Sequence, residues 1–153
     1  MRVLIGILGI LSLTACGNPV DVQAEASLLS QNEIAIQWAA WQTQRGLQGY
    51  TIEVYRSCNC VKPANYFYNY RLSVDSNNNN ILIEAIDEDG NVLQALPDNP
   101  TYYPNIDEIF ELMDDTLSGG HPVSGSFDSD ESYPTTLELG LQETYEITLT
   151  GYF

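Results

Sequence analysis

Basic side chains are scarce in this sequence: five Lys and Arg face 21 Asp and Glu, for a formal net charge of −16. Lys62 is the only lysine. Phosphate backbones and anionic headgroups reward clustered cations, so this balance argues against nucleic acid and against docking on anionic lipid through a basic patch. Histidine occurs once, at His121 beside Pro122, and there is no G-x-S-x-G, which leaves a serine triad with little support. No C-x-x-C occurs, and no apolar run reaches the roughly 20 residues of a spanning helix. No internal period suggests a solenoid. A calcium loop around Gly90 is excluded too, because Ala85 and Leu96 would fall at the first and last ligand positions of an EF-hand. What is present is 153 residues, 44% of them hydrophobic, enough to close one modest core.

The N-terminus carries the strongest signal. Arg2 supplies a short positive region and Val3 to Leu11 an apolar run broken only by glycines, the shape of a bacterial secretory signal peptide. Leu13-Thr14-Ala15-Cys16 then resembles the lipobox of bacterial lipoproteins, in which the cysteine thiol receives a diacylglyceryl group. The chain is cut before that cysteine, and the new amino group is acylated. The expectation is a signal peptide over 1–15 and a lipidated, flexible tether over 16–30, anchored by acyl chains on Cys16. Gly17, where an aspartate would favour inner-membrane retention, points to the outer membrane in a Gram-negative envelope.

Residues 31–153 read as one domain. Ser30 and Glu33 have capping-box spacing, Leu29 and Ile34 sit at the positions of a hydrophobic staple, and Ile34, Trp38 and Trp41 share a helical face. That spacing makes the tryptophans core residues rather than a stacking platform. Alternation then marks strands at Tyr50–Tyr55, Tyr70–Val74, Ile81–Ile86 and after the Asp89-Gly90 turn. Asn77 to Asn80 serve as a hairpin connection. Asn105 and Glu108 cap a second helix with Ile106, Ile109, Phe110, Met113 and Leu117 on one face. Three further strand segments, PVSGSF, TTLELGL and YEITLTGYF, close the chain. The expected fold class is α+β, an antiparallel sheet of about five to seven strands with two helices packed on one face.

Several motifs, in order, carry a family resemblance: Trp38 on a helix, Tyr50-x-x-x-x-Tyr55-Arg56-Ser57-Cys58-x-Cys60, Ile106-Asp107-Glu108-Ile109-Phe110, and Phe127-Asp128 followed by Tyr133-Pro134-Thr135. Together they resemble domain of unknown function 6174, a family of uncharacterised bacterial proteins, many of them lipoproteins. The likeness runs from about Trp38 to Ile147, with Phe127-Asp128 where Tyr-Asp is expected and Ser132 where glycine is common. It implies a fold and a location but no activity.

Cys58-Asn59-Cys60 is the one feature able to carry chemistry. In a flat strand its Cα atoms would lie about 7 Å apart, the upper limit for a disulfide, so closure needs a bend near Asn59. A structural disulfide is the favoured reading in an oxidising compartment. A redox pair, its thiolate favoured by Arg56 and Lys62, and a soft-metal site are the alternatives. The acidic runs Glu84–Asp89 and Asp128–Glu131 read as solvated turns, and Tyr66, Phe67, Tyr68 and Tyr70 as sheet residues rather than a recognition surface. The expected protein is a lipid-anchored, non-catalytic binding or structural module of the cell envelope. It needs no cofactor and no metal, and its partners are the membrane and an unknown envelope component.

Overall fold

A computed structural model describes residues 27–59, 67–97, 102–140 and 143–153. The expected signal peptide, Cys16, the tether up to residue 26, Cys60, Lys62 and Tyr66 lie outside the described residues. Both helices begin where side chains satisfy the free amides of a first turn. Ser30 Oγ accepts from the Glu33 backbone N–H (3.3 Å) and Glu33 Oε2 accepts from that of Ser30 (2.8 Å), opening α1, Gln31–Arg45. Asn105 Oδ1 and Glu108 Oε2 make the same exchange (3.1 and 2.7 Å) before α2, Ile106–Ser118. Gly46, at φ 58°, turns the chain out of α1.

The strands are β1 (Ser27–Leu28), β2 (Tyr50–Cys58), β3 (Tyr70–Val74), β4 (Asn80–Ile86), β5 (Val92–Ala95), β6 (Val123–Phe127), β7 (Pro134–Leu139) and β8 (Glu143–Tyr152). They form one open antiparallel sheet in the order β1-β6-β7-β8-β2-β3-β4-β5. Eight strands exceed the expected five to seven. The addition is β1, too short to show a period of two, and only its partner β6 reveals it, with Leu29 N–H donating to Val123 O at 2.9 Å. The sheet thus takes in Ser27 and Leu28, at the end of the stretch expected as tether.

Two meanders, β2 to β5 and β6 to β8, are joined by β2 pairing with β8 from Tyr50↔Tyr152 to Cys58↔Glu143. One set of alternate side chains faces the helices. Tyr50, Ile52 and Val54 of β2, Tyr70, Leu72 and Val74 of β3, Leu137 and Leu139 of β7 and Tyr145 and Ile147 of β8 join Ile34, Trp41, Ile106, Ile109, Phe110 and Met113 in a single buried cluster. The α+β arrangement with both helices on one face is therefore what the alternation dictates. Trp41 is fully buried, while the half-buried Trp38 stacks on Phe110 (5.9 Å), which stacks on Phe127 (6.0 Å).

The outer face is polar and cross-linked. Arg71 reaches Glu53 on β2 (2.6 Å) and Glu84 on β4 (3.8 Å), and Thr51 bonds Ser73 (3.1 Å). Three aspartates organise turns rather than offering free carboxylates. Asp75 Oδ1 accepts from the Asn77 and Asn79 backbones, Asp87 Oδ1 from Asp89 and Asn91, and Asp128 Oδ1 from Asp130 and Glu131. Hydrogen bonds from Asn79 and from Asn91 hold the Asp75 and Asp87 carboxyls below the usual carboxylate range.

At Gly125 on β6 there is no room for a side chain, since a Cβ would collide with the Thr136 carbonyl of β7. Gly125→Ala is expected to cost about 1–3 kcal/mol in urea unfolding through the forced separation of β6 and β7. An unchanged midpoint would show that the two strands can part freely.

Candidate functional site at the end of strand β2

Continuing the inward alternation of β2 places Arg56 where the pattern calls for an apolar residue. It is only 9% exposed. A buried guanidinium needs partners on every side. Its Cζ stands 5.0 Å from the Tyr70 ring centroid, 5.5 Å from Tyr145 and 5.9 Å from Tyr103. Nε donates to Tyr68 O (3.1 Å) and Nη2 to Phe67 O (3.4 Å). The Arg56 backbone N–H donates to Asn69 Oδ1 (3.3 Å). One side chain thereby binds the faces of three tyrosines and the backbone by which the chain returns from the cysteine segment to β3.

The rings are themselves fixed. Tyr70 Oη donates to Pro104 O (2.7 Å), Tyr103 Oη accepts from the Phe67 N–H (3.3 Å), and Tyr145 Oη donates to Glu143 Oε2 (3.0 Å). Burial pushes the Tyr145 phenol up to about 12, against the opposing pull of Arg56. Burial, reinforced by Asp107, raises Tyr50 as well.

Cys58 ends β2 two residues beyond Arg56, on the same side of the strand, half-buried and opposite Glu143. It is disulfide-bonded, and Cys60, the partner the sequence suggests, lies outside the described residues. Among the described residues, no three His, Cys, Asp or Glu side chains gather to hold a metal. His121 lies beyond the end of α2, its backbone N–H donating to Thr116 O (3.1 Å), beside a shallow depression it lines with Leu112, Thr116, Leu139, Gly140 and Glu143. Within the described part of the aromatic run, Tyr70 is buried and gives Arg56 a ring, whereas Phe67 and the exposed Tyr68 give it backbone carbonyls.

A second polar cluster escaped the sequence reading. Asp107, in the first turn of α2 and 6% exposed, accepts from Trp38 Nε1 (2.6 Å) and lies 3.9 Å from Arg45 Nη2. Arg45 in turn stands over the Tyr50 ring (5.8 Å). In the sequence Asp107 stands only within the Ile106–Phe110 family motif, with no role of its own. The available signal was the helical spacing of Trp38 and Arg45 on α1, an N–H donor and a cation one above the other with nothing yet to accept from them.

The architecture is thus an α+β open-sheet domain in which the buried Arg56 and the partly buried Arg45 both stand over tyrosine rings. The chain belongs to a family of unknown function, DUF6174, whose model matches residues 33–146, about three quarters of the sequence. The match spans α1 to the middle of β8 and includes both Cys58 and Cys60, while Cys16 precedes it. No curated protein and no solved structure matches the chain.

Removing the guanidinium leaves the Phe67 and Tyr68 carbonyls without their donor. Arg56→Met is expected to lose about 2–4 kcal/mol in urea unfolding, and Arg56→Lys to recover only part of it because it lacks the planar fork. Wild-type stability in Arg56→Met would overturn the clasp.

The tyrosines give a pH prediction. A phenol whose folded pKa is raised above about 10 contributes stability that is complete below that pH and lost as pH climbs towards the folded value. Stability should therefore fall between about pH 10 and pH 12, and Tyr145→Phe should flatten the fall. The check is the 295 nm phenolate absorbance followed alongside circular dichroism. All ten tyrosines ionising together near pH 10 with the fold intact would contradict it.

Proposed function

We propose that this chain is a lipid-anchored protein of the bacterial cell envelope whose domain is a non-catalytic binding or structural module. The anchor rests on the apolar run of residues 3–11 and on Leu13-Thr14-Ala15-Cys16. Ten residues separate Cys16 from β1, so the lipid can stand no further than about 40 Å from the sheet edge. A net charge of −16 then keeps the domain away from anionic headgroups. Gly17 after the cysteine, in place of an aspartate, favours an outer-membrane anchor where there is such a membrane.

The observation that carries the non-catalytic reading is Arg56. A redox cysteine is activated by a cation or a helix N-terminus turned towards its thiolate. The cation beside Cys58 is instead held over three tyrosine rings and on two carbonyls. A Cys58–Cys60 disulfide, the pairing the sequence favours, would close a loop too small to remove much unfolded-state entropy. The competing reading is a periplasmic thiol-disulfide or soft-metal protein using the same two cysteines.

Both parts are open to test in cells that process lipoproteins. The wild-type protein should incorporate labelled palmitate and enter the detergent phase, whereas Cys16→Ser should do neither. Intact Cys16 in a soluble wild-type protein would end the anchor. Native alkylation with and without a glutathione-level reductant should leave Cys58 and Cys60 unmodified. Ready labelling, or retention of copper or zinc, would transfer the assignment to the thiol or metal reading.

A further inference from the structure

The two edges of the sheet are finished differently. At one, β6 is capped by β1. At the other, β5 ends the sheet, and among the described residues no strand pairs with its outer side. Edge strands in soluble proteins are kept short or bulged, or are blunted by Lys, Pro or inward charges. β5 is short at four residues, but Val92-Leu93-Gln94-Ala95 carries no Lys, Pro or charge, and all four residues are exposed, Val92 at 48% and Leu93 at 56%. Next to them Ile81 and Leu82 are exposed at 57% and 45%. A shallow depression of about 150 Å³, lined by Asn80, Ile81, Leu82, Ile83, Ala95 and Leu96, opens at the far end of β5. At its near end the β4–β5 turn carries Asp87, Glu88 and Asp89, with Asp87 held ionised by Asn91.

We infer that the open edge of β5 is a docking site for an extended, positively charged segment of another protein, which adds a ninth strand to the sheet. Charge selects the occupant. A second copy of this chain brings another −16 to the edge, whereas a cationic strand is attracted by the whole domain and by the acidic turn in particular. Strand addition supplies main-chain hydrogen bonds, and the depression takes one apolar side chain of the incoming strand. At about 3.4 Å per residue, β5 separates that apolar side chain from the basic one by roughly three residues. The inference rests on the binding-module reading, but its failure would leave the lipid anchor and the inert cysteines standing.

The test uses the purified protein and a capped peptide of alternating Val and Thr with a Leu near one end and Lys pairs at both, beside a twin carrying Glu for Lys. The expected result is saturable binding of the lysine peptide with slowed hydrogen exchange at the Val92–Ala95 amides. Affinity should drop at least about tenfold for the glutamate twin, for Leu93→Lys, and in about 0.5 M salt. Gln94→Lys is a second variant should Leu93→Lys misfold. No binding up to roughly 1 mM, equal binding of both peptides, or protection elsewhere would overturn the inference. So would protection of β5 that grows with protein concentration and needs no peptide, because the edge would then belong to a second copy.

Discussion

The pairing of β2 with β8 is the joint on which this fold depends. Val54 and Ile147 face each other although they stand roughly 90 positions apart in sequence. Every other pairing except that of β1 closes a short loop between neighbours in one of the two meanders. Bringing the two segments together carries a loop-closure cost that only the two-residue β1–β6 pairing matches, and it returns the longest ladder in the sheet. Once that ladder is made, the inward side chains of both meanders line a single surface. α1 and α2 can then cover it together, which neither meander could offer alone.

That seam also explains where the buried charges lie. Arg56 sits on β2 with Tyr145 of β8 on one side and Tyr70 of β3 on the other, so its guanidinium bridges the two meanders. Asp107 performs the corresponding task between the helices, receiving Trp38 from α1 at the first turn of α2, where a negative charge also suits the helix dipole. Neither arrangement is a cheap substitute for apolar packing, because each ion is stripped of water. What both provide is direction. A ring of tyrosines accepts a cation in few orientations, and an indole N–H fixes a carboxylate to one helix register.

Local signals were legible in the sequence and distant ones were not. The capping pairs Ser30–Glu33 and Asn105–Glu108 located both helices because each is a three-residue exchange that the chain makes with itself. Alternation located β2, β3 and β8, and turn residues such as Asn77–Asn80 and Asp89-Gly90 marked off the strands beside them. Strand β1 was missed because two residues have no period, and it exists only through β6. Arg56 was read as a neighbour for thiolates because in sequence its nearest interesting residue is Cys58. Its real partners, Tyr70, Tyr103 and Tyr145, come from three other segments. Asp107 vanished among 21 acids for the same reason. A polar residue's role in a core is set by what folding brings to it, and no window of sequence contains that.

The acidity acquires a shape once the sheet is drawn. Asp75, Asp87 and Asp128 are held in turns by their own backbones, so part of the negative charge is fixed at the hairpin ends rather than spread over mobile side chains. On the outer face Arg71 balances Glu53 and Glu84 across three strands and keeps that surface closed to simple ion pairing. The uncharged stretch at β5 is therefore an exception bounded by fixed charge. A neutral apolar edge beside an anchored acidic turn combines long-range attraction for cations with short-range main-chain pairing, the two features by which one extended chain can be distinguished from another.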